Sequence, residues 1–166
     1  MIIGRGSLAS IIKDRDGAIF FCAGVGNSRC QDEKEFEREI QMLMQFINTD
    51  MCLFYFSSIA CATNYDSHYF DHKRHIESVI RDHFDNYNII RVGNIWECTN
   101  PNTFLNYFRN NPSDPDIVIR DENKYLISAA TLNKVCASLP LVGKTEISVF
   151  EELLTVYECL DRLKKL

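Results

Sequence analysis

Short apolar runs alternate with amphipathic stretches along most of this chain. Residues 1–3 are a very short apolar run, followed by glycines and a short helix from 7 to about 13. Residues 18–23 form a second apolar run, bounded by Asp16-Gly17 and by Gly24-Val25-Gly26-Asn27. It is short and rich in Ile and Phe, which predicts a buried strand. Residues 32–48 read as a helix, because Phe36, Ile40, Leu43 and Ile47 recur on one helical face. Asp32, Glu33 and Glu35 lie at its start, where the helix dipole favours acids.

Residues 51–57 predict another buried strand, 69–84 a second long helix with Ile76, Ile80 and Phe84 on one face, and 88–92 a further core strand. Asn100-Pro101-Asn102-Thr103 reads as a turn and cap leading into a short helix that ends near Arg109. Residues 110–114 read as loop, 116–119 as a short strand and 131–139 as a helix. The last helix is expected over 148–165, with Val149, Leu153, Val156, Leu160 and Leu163 on one stripe. Strands alternating with helices imply a parallel sheet covered by helices, an α/β class.

The 166 residues suit a single domain over 1–166. A net charge of −5 argues against nucleic acid as the main partner, since phosphate backbones need a basic face. No stretch approaches the roughly 20 apolar residues of a membrane span. The start of the chain lacks the basic and apolar regions of a signal peptide. The seven cysteines include no C-x-x-C pair, and several sit in apolar runs. They read as reduced thiols, and the expected location is cytoplasmic.

Three features carry chemistry. Gly4-Arg5-Gly6-Ser7-Leu8-Ala9 follows the first apolar run. Glycines at a strand-to-helix turn let backbone approach a pyrophosphate, although a tight turn without ligand has the same look. Tyr69 and Lys73 are one helical turn apart. An ammonium beside a phenol favours the phenolate and tunes it for acid/base work; a solvated helix face is the plainer alternative. Ser57-Ser58 end a strand just before Tyr69, where a hydroxyl can meet a substrate oxygen or simply cap a turn. His68, His72 and His75 fall roughly on one face of the same helix, a spacing open to metal binding, but no metal is expected. Trp96, the Phe104/Tyr107/Phe108 cluster and the last helix's apolar stripe read as packing residues.

Together these segments resemble the extended short-chain dehydrogenase/reductase family, nearest to its sugar-nucleotide epimerases and dehydratases. The likeness rests on residues 4–9, 20–28, 55–73 and 88–108 and thins after about 110. It implies a Rossmann-like parallel sheet, a bound NAD or NADP, and a nucleotide-sugar substrate of the kind used in polysaccharide biosynthesis. By that resemblance Tyr69 is the acid/base, Lys73 lowers its pKa and holds the nicotinamide ribose, and Ser58 orients the substrate, with Ser57 its alternative. Gly4, Gly6 and Ala9 would line the pyrophosphate, and Ala23 and Gly24 would pass near the cofactor. Asn94, Asn100, Asn102 and Thr103 would face the substrate.

The chain departs from the family in two ways. Ile3 stands where the family has a glycine. By that resemblance two strand–helix units after the first strand are missing, and with them the acidic residue that grips the adenosine ribose. The first strand then becomes a sheet edge, and exposed edges invite partners. Self-association, most simply as a homodimer, is the expected result; a monomer in sedimentation at micromolar concentration would count against it.

Overall fold

The computed structural model describes residues 1–62, 67–111 and 122–165. Its elements are β1 (Ile2–Ile3), α1 (Ser7–Ile11), β2 (Ala18–Phe21), α2 (Glu33–Met44), β3 (Cys52–Ser58), α3 (His68–His83) and β4 (Tyr87–Val92). They continue as β5 (Asn94–Ile95), α4 (Phe104–Asn110), β6 (Asn123–Ile127), α5 (Ala129–Ser138), β7 (Lys144–Val149), β8 (Glu152–Thr155) and α6 (Val156–Leu163). A short 3₁₀ turn, Ile59–Ala62, joins β3 to the approach to α3.

Five strands form one sheet in the order β1-β2-β3-β4-β7, and every neighbouring pair is parallel. This is the parallel α/β sheet expected from the alternation of runs, in the Rossmann-like form that the resemblance implied. Successive side chains of a strand point to opposite faces, and here both faces are covered. Ala18, Phe20, Phe54, Phe56 and Ile90 pack with Ile12, Leu132 and Cys136 on one side. Ile19, Phe21, Leu53, Tyr55 and Ile89 pack with Leu43, Ile76 and Ile80 on the other. Burial on two sides explains why these strands read as continuous apolar runs rather than alternating ones.

The helices end where their residues dictate. Asp32 caps α2, its carboxylate accepting the Lys34 N–H. Ser67 caps α3, and Phe84 leaves the helical conformation to end it. Gly4 is needed at the first turn: its φ is +121°, and a Cβ there would lie 2.7 Å from the Cys22 carbonyl. Gly4→Ala should destabilise the protein by about 1–3 kcal/mol, through overpacking and a backbone that alanine avoids. An unchanged urea midpoint would show that the turn relaxes freely.

Where the reading from sequence fails, it fails toward the C-terminus. The expected helix over 148–165 is instead the end of β7, then β8, then the short α6. Val149 belongs to a core strand and Leu153 to a second sheet, so the stripe is not one helical face. That second sheet has the order β5-β6-β8, and neither β5 nor β6 was expected. The strand expected over 116–119 lies outside the described residues. In α4 the buried residues are Leu105 and Asn106, whereas Tyr107 is exposed and Phe104 and Phe108 are half-buried. Of the aromatic cluster, Phe104 packs against the small core of Leu105, Leu126 and Cys159, whereas Tyr107 stays outside it.

β1 stands at the sheet edge, hydrogen-bonded only to β2 among the described strands. At the other end, β7 is tied to α3 and β4 by ions. Arg81 Nε donates to Glu146 Oε1 at 2.6 Å, and Arg91 bridges Glu77 and Glu146. The Arg81 hydrogen bond, with help from Arg91 and against partial burial, holds Glu146 down to about 2 from an ordinary 4.5. A carboxyl whose folded pKa is depressed contributes stability above its unfolded pKa and loses it as pH falls. Stability should therefore decline between pH 4.5 and 2, and Glu146→Gln should flatten part of that decline. Equal slopes for both proteins in urea unfolding against pH would remove this ion cluster from the acid response.

Candidate functional site

A cleft of about 560 Å³ opens at the carboxyl ends of the parallel strands, where ligands of open α/β sheets bind. The glycine turn supplies Gly6, Ser7 and Leu8; β2 and the loop after it supply Phe21, Cys22, Gly24 and Val25. The end of β3 brings Ser57 and Ser58, and the start of α3 brings Tyr69 and Lys73. Asn94, Asn100, Asn102 and Thr103 close the far side.

Most of the residues singled out from sequence thus share one cavity. Gly4, Ala9 and Ala23 are the ones that do not line it. Gly4 packs on the Cys22 backbone. Ala9 and Ala23 pack against the two core layers, and the Ala23 carbonyl accepts from Arg38. By contrast, a Cβ on Gly6 would meet nothing, so its open side leaves room at the turn. The mouth is fastened by hydrogen bonds from both sides. Ser7 Oγ accepts the Thr99 N–H at 2.7 Å, and Asn100 Nδ2 donates to the Gly26 carbonyl at 3.1 Å. Ser58 Oγ accepts the Ala60 N–H at 3.3 Å, and Ser57 Oγ lies 3.5 Å from Cys61 Sγ. Thr103 caps α4.

The floor of the cleft holds a cluster that the sequence reading missed. Glu39 is completely buried on α2. Its Oε1 accepts from Lys73 Nζ at 3.0 Å and from the Tyr55 hydroxyl at 2.9 Å. Its Oε2 accepts the Val25 N–H at 2.7 Å and lies 3.0 Å from His72 Nε2. Lys73 Nζ also donates to the Tyr55 oxygen at 2.9 Å. A signal was present in the sequence: Glu39 falls three residues after Phe36 and four before Leu43, on the apolar face of its helix. Burial opposes ionisation of Glu39, but the Lys73 charge and hydrogen bonds from His72, Val25 and Lys73 outweigh it and bring the carboxyl to about 2. Burial likewise works against the Lys73 charge, and Glu39 overrides it, so the ammonium is held above its ordinary range.

This cluster changes the reading of Tyr69. Lys73 Nζ sits 5.7 Å from the centre of the Tyr69 ring, but its hydrogen bonds go to Glu39 and Tyr55. Burial pushes the Tyr69 phenol up, and the Lys73 charge only partly opposes it, so the net direction is upward. The expectation of a lowered phenol is corrected for this arrangement. Cys22 also lines the cleft, and burial pushes its thiol up to about 12. It is a protonated wall rather than a nucleophile. The histidines do not converge: His72 is buried and stacked on Phe36 at 4.3 Å, while His68 and His75 are exposed. Among the described residues no three His, Cys, Asp or Glu side chains cluster to hold a metal, and no helix is long and apolar enough to cross a membrane.

No protein-family model matches the sequence, and no curated protein matches it. Solved structures do match the fold. UDP-N-acetylglucosamine 4-epimerase from Methanobrevibacter ruminantium M1, in complex with UDP-N-acetylmuramic acid, superposes with a TM-score of 0.61 and 16% identity, over 93% of this chain and 61% of that one. A variant of UDP-glucuronic acid 4-epimerase from Bacillus cereus, in complex with NAD and a fluorinated UDP-glucuronic acid, gives 0.66 and 12%, over 95% and 61%. A dTDP-4-dehydrorhamnose reductase from Clostridium acetobutylicum gives 0.67 and 12%, over 90% and 61%. The chain thus spans about three-fifths of the length of these structures. At such identities the likeness is one of fold, and it bears out the fold that the sequence resemblance implied.

Proposed function

We propose that this chain, which has the Rossmann-like fold of the extended short-chain dehydrogenase/reductase enzymes, is an NAD- or NADP-dependent oxidoreductase or epimerase acting on a nucleotide-sugar. The observation that carries the reading is the meeting of Gly6, Ser58, Tyr69 and Lys73 on one cleft at the strand ends. Several structural neighbours are themselves complexes with NAD or NADP. The residues fit such a cofactor: the open side of Gly6 gives its pyrophosphate a close approach to backbone, and Lys73 offers a donor to its ribose. When bound, the nicotinamide would supply the hydride chemistry.

The protein's part is proton handling and orientation. Tyr69 exchanges a proton with the sugar oxygen, and Ser58, or Ser57 beside it, hydrogen-bonds that oxygen. The side chains of Asn94, Asn100, Asn102 and Thr103 face the sugar-nucleotide. Homo-oligomerisation through the β1 edge and a cytoplasmic location belong to the same reading.

One feature favours a second reading. β1 is the sheet edge, so among the described residues no strand lies beyond it to hold an adenosine ribose. A non-catalytic descendant that binds nucleotide-sugar or serves as a structural subunit would have this shape. Thermal-shift measurements with NAD, NADP, UDP-sugars and dTDP-sugars separate the two, because a ligand of the native state raises the melting temperature. Stabilisation by a nicotinamide cofactor together with turnover of a nucleotide-sugar supports the enzyme. Stabilisation by a nucleotide-sugar alone, without turnover, supports the binder; silence with all four leaves the structural subunit.

A further inference from the structure

We propose that Glu39 is the positioning residue of this cleft: it anchors the Lys73 ammonium beneath Gly24, so that the remaining N–H of Lys73 is presented to the ligand. The inference rests on the reading of the cleft as a cofactor site.

Glu39 cannot touch a ligand itself. It is fully buried, and its two oxygens already meet four partners: Lys73, Tyr55, Val25 and His72. That saturates an ionised carboxylate. An ammonium has three donors. Lys73 gives one to Glu39 and one to Tyr55, and no third acceptor lies among the described residues. Lys73 nevertheless lines the cleft, so among the described residues its remaining donor faces the ligand space. Gly24 fixes the geometry from above: a Cβ there would lie 2.7 Å from Glu39 Oε1 and 2.9 Å from Lys73 Nζ. With the Val25 N–H on the same carboxylate, Glu39 ties the cleft-lining loop after β2 and the lysine of α3 to one point.

Charge supports the geometry. A lone buried lysine tends to lose its proton. The described groups that face Lys73 are Glu39 from α2, Tyr55 from β3, Tyr69 from α3 and Cys61 from the 3₁₀ turn; His72 reaches it through Glu39. Glu39 opposes the burial of the ammonium most strongly, through both its charge and its hydrogen bond.

Glu39→Gln keeps the shape and removes the charge. The protein would be labelled with ¹³Cε-lysine, the Lys73 signal assigned with Lys73→Arg, and the titration followed by NMR. NADH binding would be read in parallel by fluorescence from pH 6 to about 10. The expectation is that Lys73 of the unmodified protein titrates above its ordinary 10.5. In Glu39→Gln that titration should fall by about one unit or more, and NADH should bind about tenfold more weakly at the alkaline end, with a pH step that the unmodified protein lacks. A purely structural role would lower the melting temperature without creating that step. An unmoved Lys73 titration, or equal NADH affinity of the folded variant at every pH, overturns the proposal. Should Glu39→Gln not fold, the unmodified protein decides: Lys73 titrating below 10.5 overturns the proposal and above it supports it. If the unmodified protein binds neither NADH nor NADPH, the cofactor reading falls, while the Lys73 titration still decides the anchoring.

Discussion

Replacing Lys73 by methionine should destabilise the protein by about 3–5 kcal/mol, because it leaves a charged carboxylate buried without its cation. That is a large part of the roughly 5–15 kcal/mol by which a domain of this kind is stable. Methionine matches the lysine stem closely, so lost packing contributes little and the effect reports the charge. Glu39 has no route to water: it is fully buried between α2, the loop after β2 and α3. Its remaining donors, from Tyr55, Val25 and His72, would be left to hold a full negative charge. Pairing Lys73→Met with Glu39→Leu should recover part of the loss and no more, since the Val25 N–H and the Tyr55 hydroxyl would then lose their acceptor. Lys34, exposed on α2, is the control; Lys34→Met should stay within about 0.5 kcal/mol. Urea unfolding at pH 7 measures all three. A loss under about 1 kcal/mol for Lys73→Met would mean that the ion pair is solvated in solution.

Tyr69→Phe should lower turnover by about 10²–10⁴-fold, the usual worth of a positioned acid/base. It should leave stability within about 1 kcal/mol, since the Tyr69 hydroxyl makes no hydrogen bond among the described residues and its removal orphans no partner. This makes it the cleaner probe of chemistry, because Lys73 variants disturb the fold as well. The pH profile adds a second check. Burial holds the phenol above its ordinary 10, with Lys73 opposing. If Tyr69 acts as a base, kcat/KM should still be rising with pH at the alkaline end of the stable range, and Tyr69→Phe should abolish that rise. A profile already flat at neutral pH, or turnover unchanged in the variant, would remove Tyr69 from the mechanism.

β1 to β4 of the central sheet were legible because they are short, apolar and separated by turn residues; β7, with its alternating pattern, was not. Buried on both faces, β2 and β3 need no alternation to be recognised. α2 and α3 announced themselves by period, and α2 also by the acids at its start; their capping side chains, Asp32 and Ser67, emerge from the structure. Residues 148–163 were not legible for a physical reason. Val149, Leu153, Val156 and Leu160 happen to satisfy a helical spacing, but β7 completes the main sheet beside β4, and β8 pairs antiparallel with β6. Long-range pairing overrides local periodicity when a sheet edge would otherwise lie open. The two-residue β5 is too short to leave any local pattern.

The candidate site divides in the same way. Tyr69 and Lys73 are related by one turn of one helix, so sequence spacing alone puts them side by side. Ser57 and Ser58 end a strand, and strand ends in a parallel sheet face the ligand side whatever the remaining chain does. Glu39 and Tyr55 are 16 residues apart on different elements, and Glu39 and Lys73 are 34 residues apart. Only the stacking of α2 and α3 on one face of the sheet brings them together.

By itself, the sequence determined the alternation of strands and helices, the cleft at their carboxyl ends and the Tyr69–Lys73 step, because each follows from neighbours along the chain. The tertiary structure alone decided where the lysine's charge goes. A buried ammonium takes the nearest carboxylate that packing provides, and helix packing here provides Glu39.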